Sequence, residues 1–125
     1  MNAKILIVDD SALARRLTRQ VLEELGHSVE EATDGAQALE RYAIHHHDVV
    51  VLDLVMPGME GLEVLKKFRQ LNPQASVIVV TADIQKTTRE QVKAAGAAAI
   101  LNKPIDKQKF ISDLEKVLSG GVAWS

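Results

Sequence analysis

The sequence contains no cysteine. That excludes disulfides and thiolate metal sites and agrees with a reducing compartment, so a cytoplasmic location is expected. Nor is there a surplus of positive charge: 15 Lys and Arg stand against 17 Asp and Glu, for a formal net charge of −2. Acids and bases are interspersed, and without a basic stripe to neutralise phosphates no direct nucleic-acid partner is expected. No apolar run approaches the ~20 residues of a membrane span. The stretch from Met1 to Val8 is too short and wrongly flanked for a secretory signal, so no membrane partner is expected either. What is present is a globular balance, 46% hydrophobic and 26% charged over 125 residues, enough for one domain with a continuous core. The expected domain covers 1–119, with 120–125 a flexible tail that Gly120 and Gly121 begin and in which Trp124 has no assigned role.

Five short apolar runs alternate with five helix-like segments, the pattern of a parallel sheet covered on both faces. The runs are Lys4 to Val8, Ser28 to Ala32, Val49 to Leu54, Ser76 to Val80 and Ala97 to Leu101. The first, third and fourth are continuously apolar and rich in β-branched residues, as fully buried strands are. The run Ser28-Val29-Glu30-Glu31-Ala32 is more polar and fits an edge strand. Between them, Leu13, Leu17, Val21 and Leu25 recur every four residues and predict one apolar stripe on a helix that Gly26 ends. Asp34 with Gln37 resembles a capping box, opening a second helix through Ile44. Leu65, Phe68 and Leu71 mark a third helix, stopped before Pro73. A fourth runs from Lys86 to Ala95. Asp106 caps a fifth, whose buried stripe is Phe110, Leu114 and Val117. Right-handed crossovers make this (βα)5 chain a doubly wound α/β sandwich, with the strand order 2-1-3-4-5 taken over from flavodoxin-like sheets rather than dictated by spacing.

Ligands of such sheets bind beyond the carboxyl ends of the strands, beside the switch in strand order. There the first strand offers Asp9 and Asp10, the third Asp53, the fourth Thr81 and the fifth Lys103. Three crowded carboxylates repel, and burying them unpaired costs several kcal/mol, so the site demands a cation. Oxygen-only ligation suits Mg²⁺, with Mn²⁺ as an alternative, whereas zinc prefers nitrogen or sulfur. Asp10 and Asp53 are the expected direct ligands, with a backbone carbonyl near Val55 and with Asp9 acting through water. Asp53 ends a central strand and precedes an open loop with Pro57 and Gly58, which suits an aspartyl nucleophile in phosphoryl transfer. Lys103, followed by Pro104 in an expected cis linkage, supplies fixed positive charge. Thr81 offers a hydroxyl to a phosphoryl oxygen, and the small Ala82 leaves room beside it. No organic cofactor site is read.

Taken together, Ile7-Val8-Asp9-Asp10-Ser11, the run from Asp53 to Gly61, Thr81-Ala82 and Lys103-Pro104 resemble the response-regulator receiver family from Lys4 to about Leu118. Each motif alone is weak; their order and their placement at strand ends are specific. The resemblance implies a two-component signalling protein that takes a phosphoryl group onto Asp53 from a sensor histidine kinase or phosphotransfer protein, or from acetyl phosphate. It further implies Mg²⁺-dependent autophosphorylation and autodephosphorylation, and a movement of Thr81 that repacks the face of the fourth helix, fifth strand and fifth helix for a downstream protein target the sequence does not name. The start of the chain is similar to chemotaxis receivers of the stand-alone kind. In one place it departs from the family: Ile100 stands where many members carry the aromatic switch residue. Val55 and Asp83 flank the expected water path, and an apolar Val55 cannot orient a water.

Blander readings stand beside these. Asp9 or Asp10 could cap a helix, and Thr81 could serve packing alone. The run His45-His46-His47 has neither cysteine nor spaced partners and reads as a solvated connector. Met56, Met59, Ala98, Ile100 and Leu101 read as packing residues. A flavin electron carrier would need a phosphate loop where Asp9 and Asp10 stand. An aspartyl phosphatase would carry an acid at position 55. A phosphorylation-independent interaction module of the same fold remains as the alternative.

Overall fold

A computed structural model of the chain describes residues 2–56, 60–82 and 85–124. Strands and helices alternate as β1 (Lys4–Val8), α1 (Ala12–Glu24), β2 (Ser28–Ala32), α2 (Gly35–His45), β3 (Val49–Asp53), α3 (Gly61–Leu71), β4 (Val77–Thr81), α4 (Lys86–Ala94), β5 (Ala99–Asn102) and α5 (Lys107–Leu118). The strands form one parallel sheet in the order β2-β1-β3-β4-β5, so the expected doubly wound architecture holds. β3 and β4 are buried at every position, as continuous apolar runs require, whereas β2 is exposed or half-buried along most of its length and occupies an edge.

Two apolar layers sandwich the sheet. Leu6, Val8, Val50, Leu52, Val77 and Val79 point to the side that holds Val64, Leu65 and Phe68 of α3 and Val92 of α4. Ile5, Ile7, Val49, Val51, Ile78 and Val80 point to the other side, against Leu22 of α1 and Phe110, Leu114 and Val117 of α5. This alternation is the period of two expected of a strand buried on both faces.

The helix ends follow local chemistry. Asp34 accepts the Gln37 N–H at 2.8 Å while Gln37 reaches back to the Thr33 N–H, also at 2.8 Å. Asp106 accepts from the Gln108 and Lys109 N–H groups. Asn72, the C-cap of α3, is extended with ψ 105, as the residue before proline must be. Gly61 opens α3 because nothing larger fits: a Cβ there would lie 2.3 Å from the Leu54 carbonyl oxygen, which accepts the Gly61 N–H.

The stripe predicted for α1 does not face the core. Leu13, Leu17 and Leu25 are 64%, 55% and 38% exposed, and the fully or nearly buried positions are Thr18 and Leu22. Arg15 and Arg19, one turn apart, lie over β2 and both pair with Glu31. In the roll that accompanies this pairing, Ala14, Thr18 and Leu22 turn inward and Leu13 and Leu17 stand beside a cavity. Toward the other end of the chain, residues 121–124 turn back onto the fold. The Ala123 N–H donates to the Ala98 carbonyl at 2.8 Å and the Trp124 indole N–H to the Ala97 carbonyl at 2.9 Å, with Arg89 and Lys93 over the ring.

Candidate functional site

The carboxyl ends of β1, β3 and β5 bring four of the expected side chains together. One carboxylate oxygen from each of Asp9, Asp10 and Asp53 falls within 4.8 Å of the others. Lys103, which follows β5 and whose bond to Pro104 is cis, places Nζ 2.9 Å from Asp9 Oδ2 and 3.2 Å from Asp53 Oδ2. One ammonium thus stands among three acids. Asp9 and Asp53 are each 6% exposed, whereas Asp10 faces outward.

Backbone donors set the orientation of both buried acids. The Ser11 N–H donates to Asp9 Oδ1 at 2.9 Å and the Val55 N–H to Asp53 Oδ1 at 3.2 Å. The cap of α1 is Ser11, whose hydroxyl accepts the Ala14 N–H, so neither Asp9 nor Asp10 serves as the N-cap. The Val55 side chain is 66% exposed and apolar and brings no polar group to the pocket.

Burial pushes the Asp53 carboxyl above its ordinary range; the negative charge of Asp9 adds to this, and the Val55 N–H and Lys103 only partly offset it. For Lys103 burial works downward, but the bond to Asp9 and the charges of Asp53 and Asp9 outweigh it and hold the ammonium above the usual lysine value. A carboxylate that ionises reluctantly beside two more acids marks a pocket short of positive charge. A hard divalent ion with oxygen ligands fits that shortage.

Thr81 ends β4 next to this group, fully buried, and its carbonyl accepts the Lys103 N–H at 2.9 Å. Ala82 beside it is exposed. Ile100 is buried in the layer that holds Val92 of α4 and Met56. Pro57, Gly58 and Met59 of the loop after Asp53, and Asp83 after Thr81, lie outside the described residues. A cavity of about 500 Å³ runs from Asp9, Asp53 and Lys103 between α1 and the β5–α5 connection, with Leu13, Leu17, Ile105 and Phe110 along its walls.

The sequence reading missed two groupings. Arg15, besides pairing with Glu31, donates to the Asp9 carbonyl at 2.7 Å, a link from α1 to the acid pocket that only the roll of the helix makes visible. The histidine run is not a solvated connector throughout: His47 is 6% exposed, and both it and His45 bond Glu30. Their partner lies fifteen or more residues away in sequence, so no local spacing signals the contact.

Known proteins carry the same pattern. A family model for the response regulator receiver domain matches residues 5–115. The chemotaxis protein CheY of Bacillus subtilis is 36% identical over 120 residues, which cover 95% of this chain and all of that protein. A CheY-like receiver domain protein from Methanospirillum hungatei superposes with a TM-score of 0.90 at 29% identity, covering 95% of each chain. A chain from the CheX–CheY–BeF3–Mg²⁺ complex of Borrelia burgdorferi gives a TM-score of 0.88 at 29% identity, covering 92% of this chain and 88% of that one. With the domain match spanning nearly the whole chain and the acid pocket in its place at the switch in strand order, this protein belongs to the response regulator receiver family.

Proposed function

We propose that Asp53 is the phosphoacceptor of this receiver and that the group it takes comes from a phosphohistidine on a sensor kinase or phosphotransfer protein. The observation that carries the reading is the arrangement of Asp9, Asp53 and Lys103 within 3.2 Å of one shared ammonium at the end of a central strand. An Asp53 oxygen attacks phosphorus, the phosphorus to leaving-group bond breaks, and an acyl phosphate forms. Val55 N–H holds Oδ1 so that the carboxylate keeps one orientation. Lys103 lies close enough to pass its hydrogen bond from Asp53 Oδ2 to an equatorial phosphoryl oxygen, where charge accumulates in transfer. Thr81 is the expected hydroxyl donor to that group.

Mg²⁺, or Mn²⁺ in its place, would be held by Asp10 and Asp53 with the Val55 carbonyl and with Asp9 through water, and would supply electrophilic charge to the transferred group. The excess of acid over ammonium supports this assignment. Exposed Leu13 and Leu17 border the same cleft and offer a donor protein an apolar surface beside Asp53. An in-line water would return Asp53 to its free form without help from the Val55 side chain. The outcome for the fold is a repacking of α4, β5 and α5 that changes partner binding, with buried Ile100 rather than an aromatic ring at the β5 position. A cytoplasmic location follows from such donors.

The test is incubation with Mg²⁺ and acetyl phosphate followed by intact mass measurement. Wild type gains one phosphoryl group and Asp53→Asn gains none. A mutant that gains the group as fast as wild type would move the acceptor elsewhere.

A further inference from the structure

At the β2 edge of the sheet, two imidazoles converge on one carboxylate oxygen. His45 ends α2; His46 follows in the left-handed conformation, φ 50, and turns the chain so that His47 returns toward the sheet. Glu30 stands at the middle of β2. His45 Nδ1 lies 2.9 Å and His47 Nε2 lies 2.7 Å from the same Glu30 Oε1, and the three atoms fit within 4.8 Å of one another. The rings stand edge to face at 88°, with centroids 5.9 Å apart.

His47 is held rigidly. Its side chain is 3% exposed, and the Tyr42 ring stacks on it at 6.1 Å. Its Nδ1 has no hydrogen-bond partner among the described residues, so the ring's polar business is all conducted through Nε2, toward Glu30. His45 and Glu30, at 51% and 32% side-chain exposure, have freedom to adjust and leave one side of the group open to water.

From this geometry we infer a second metal site, built by Glu30, His45 and His47, for a borderline transition ion of the Zn²⁺ class. Two imidazole nitrogens and one carboxylate oxygen with a fourth position open to solvent is a ligand set that zinc accepts and Mg²⁺ does not favour. Ligand atoms around tetrahedral zinc stand roughly 3.3 Å apart, from bonds of about 2.0 Å. The present contacts of 2.7 and 2.9 Å would open by a few tenths of an ångström and the two nitrogens, within 4.8 Å, would settle to a similar spacing, an adjustment that falls to the part-exposed His45 and Glu30. Loaded, the site would tie the edge strand β2 to the α2–β3 connection. The chain would thus sort two cations by donor chemistry, a hard one at the all-oxygen pocket and a softer one here.

The experiment is a calorimetric Zn²⁺ titration of the full chain, free of any added polyhistidine, with Mg²⁺ present in excess. One Zn²⁺ per chain is expected, with a raised melting temperature. His45→Ala, at an exposed position that spares the core, should weaken binding at least tenfold or so, and Glu30→Gln likewise. His46→Ala and Asp53→Asn should leave it near wild type. Zinc addition should also shift the ring nitrogen resonances of His47 in wild type and not in His45→Ala. Absence of Zn²⁺ binding, a loss in His46→Ala equal to that in His45→Ala, or a loss in Asp53→Asn would each overturn the assignment.

Discussion

Two groups of buried or half-buried carboxylates sit on neighbouring strands and are treated in opposite ways. At the ends of β1 and β3, Asp9 and Asp53 share the ammonium of Lys103, with exposed Asp10 beside them. On β2, Glu30 and Glu31 point to opposite faces of the sheet. Glu31 meets Arg15 and Arg19 from α1, and Glu30 meets Arg41, His45 and His47 from α2 and its exit. Burial raises all three buried or half-buried carboxyls that respond. For Asp53 it wins, with Asp9 adding to it. For Glu31 the bonds from Arg19 and Arg15 outweigh it, and for Glu30 those from His47 and His45 do so, leaving both carboxyls below the ordinary range. Glu31 is thus satisfied by the arginines of α1, and Glu30 at rest by two imidazoles whose shared hydrogen bonds a transition ion would replace. The strand-end pocket keeps a carboxyl raised by burial and by a neighbouring acid, the condition that the proposed cation and phosphoryl group would meet.

The sharpest way to break this contrast is to remove the ammonium that bridges the two buried acids of the pocket. Lys103→Met leaves Asp9 and Asp53 without the ammonium now 2.9 and 3.2 Å away. The rate of phosphoryl uptake from acetyl phosphate should fall by roughly 100-fold or more, the scale of losing one preorganised charge at a developing oxyanion. Time-resolved intact mass, with circular dichroism to confirm the fold, measures it. A rate near wild type would mean that Lys103 only balances charge at rest.

A smaller effect sharpens the same contrast from the side of stability. Because burial and Asp9 raise Asp53 in the folded state, the fold without metal carries the full cost at pH above that raised value, and the cost declines as the pH falls below it, vanishing below the ordinary 3.8. Asp53→Asn should therefore stabilise metal-free protein at neutral pH, on the order of 1 kcal/mol. Adding Mg²⁺ should reverse the ranking if Asp53 is the proposed ligand, since wild type would then hold it with one more carboxylate. Urea midpoints with chelator and with Mg²⁺ give both numbers, and a mutant no more stable than wild type in chelator would show that the pocket carries no such cost.

The gathering of the strand-end residues was legible in the chain because it depends on which residue ends each strand, once the strand order is borrowed from flavodoxin-like sheets. Asp9 after Val8, Asp53 after Leu52 and Lys103 after Asn102 lie where continuous apolar runs stop, and the fold does the rest. The roll of α1 was not legible. Leu13, Leu17, Val21 and Leu25 make the better apolar stripe, yet Thr18 and Leu22 are buried, and the contacts that accompany this roll, Arg15 and Arg19 with Glu31, join two elements and leave no trace in apolar periodicity. The meeting of His45 and His47 with Glu30 was hidden for a related reason. It depends on a left-handed backbone at His46, φ 50, a conformation uncommon outside glycine, and on a partner on another strand.

The β2 network supplies the last and mildest test, and its sign is opposite to that of Asp53. Glu31 has a folded value below its ordinary 4.5, so its pairing contributes stability above 4.5 that is lost as the pH falls through the lowered value. Arg19 is 37% exposed in its side chain, and solvent screens its share, so the whole contribution should be on the order of 0.5 kcal/mol. Glu31→Gln should lower the urea midpoint at neutral pH by that small amount, and the gap to wild type should close in acid as the native carboxyl protonates. Salt should close it too, since half-exposed pairs are screened. If the gap instead widened in acid, Glu31 would be behaving as Asp53 does, and the distinction between a satisfied strand edge and a charge-hungry strand end would fail.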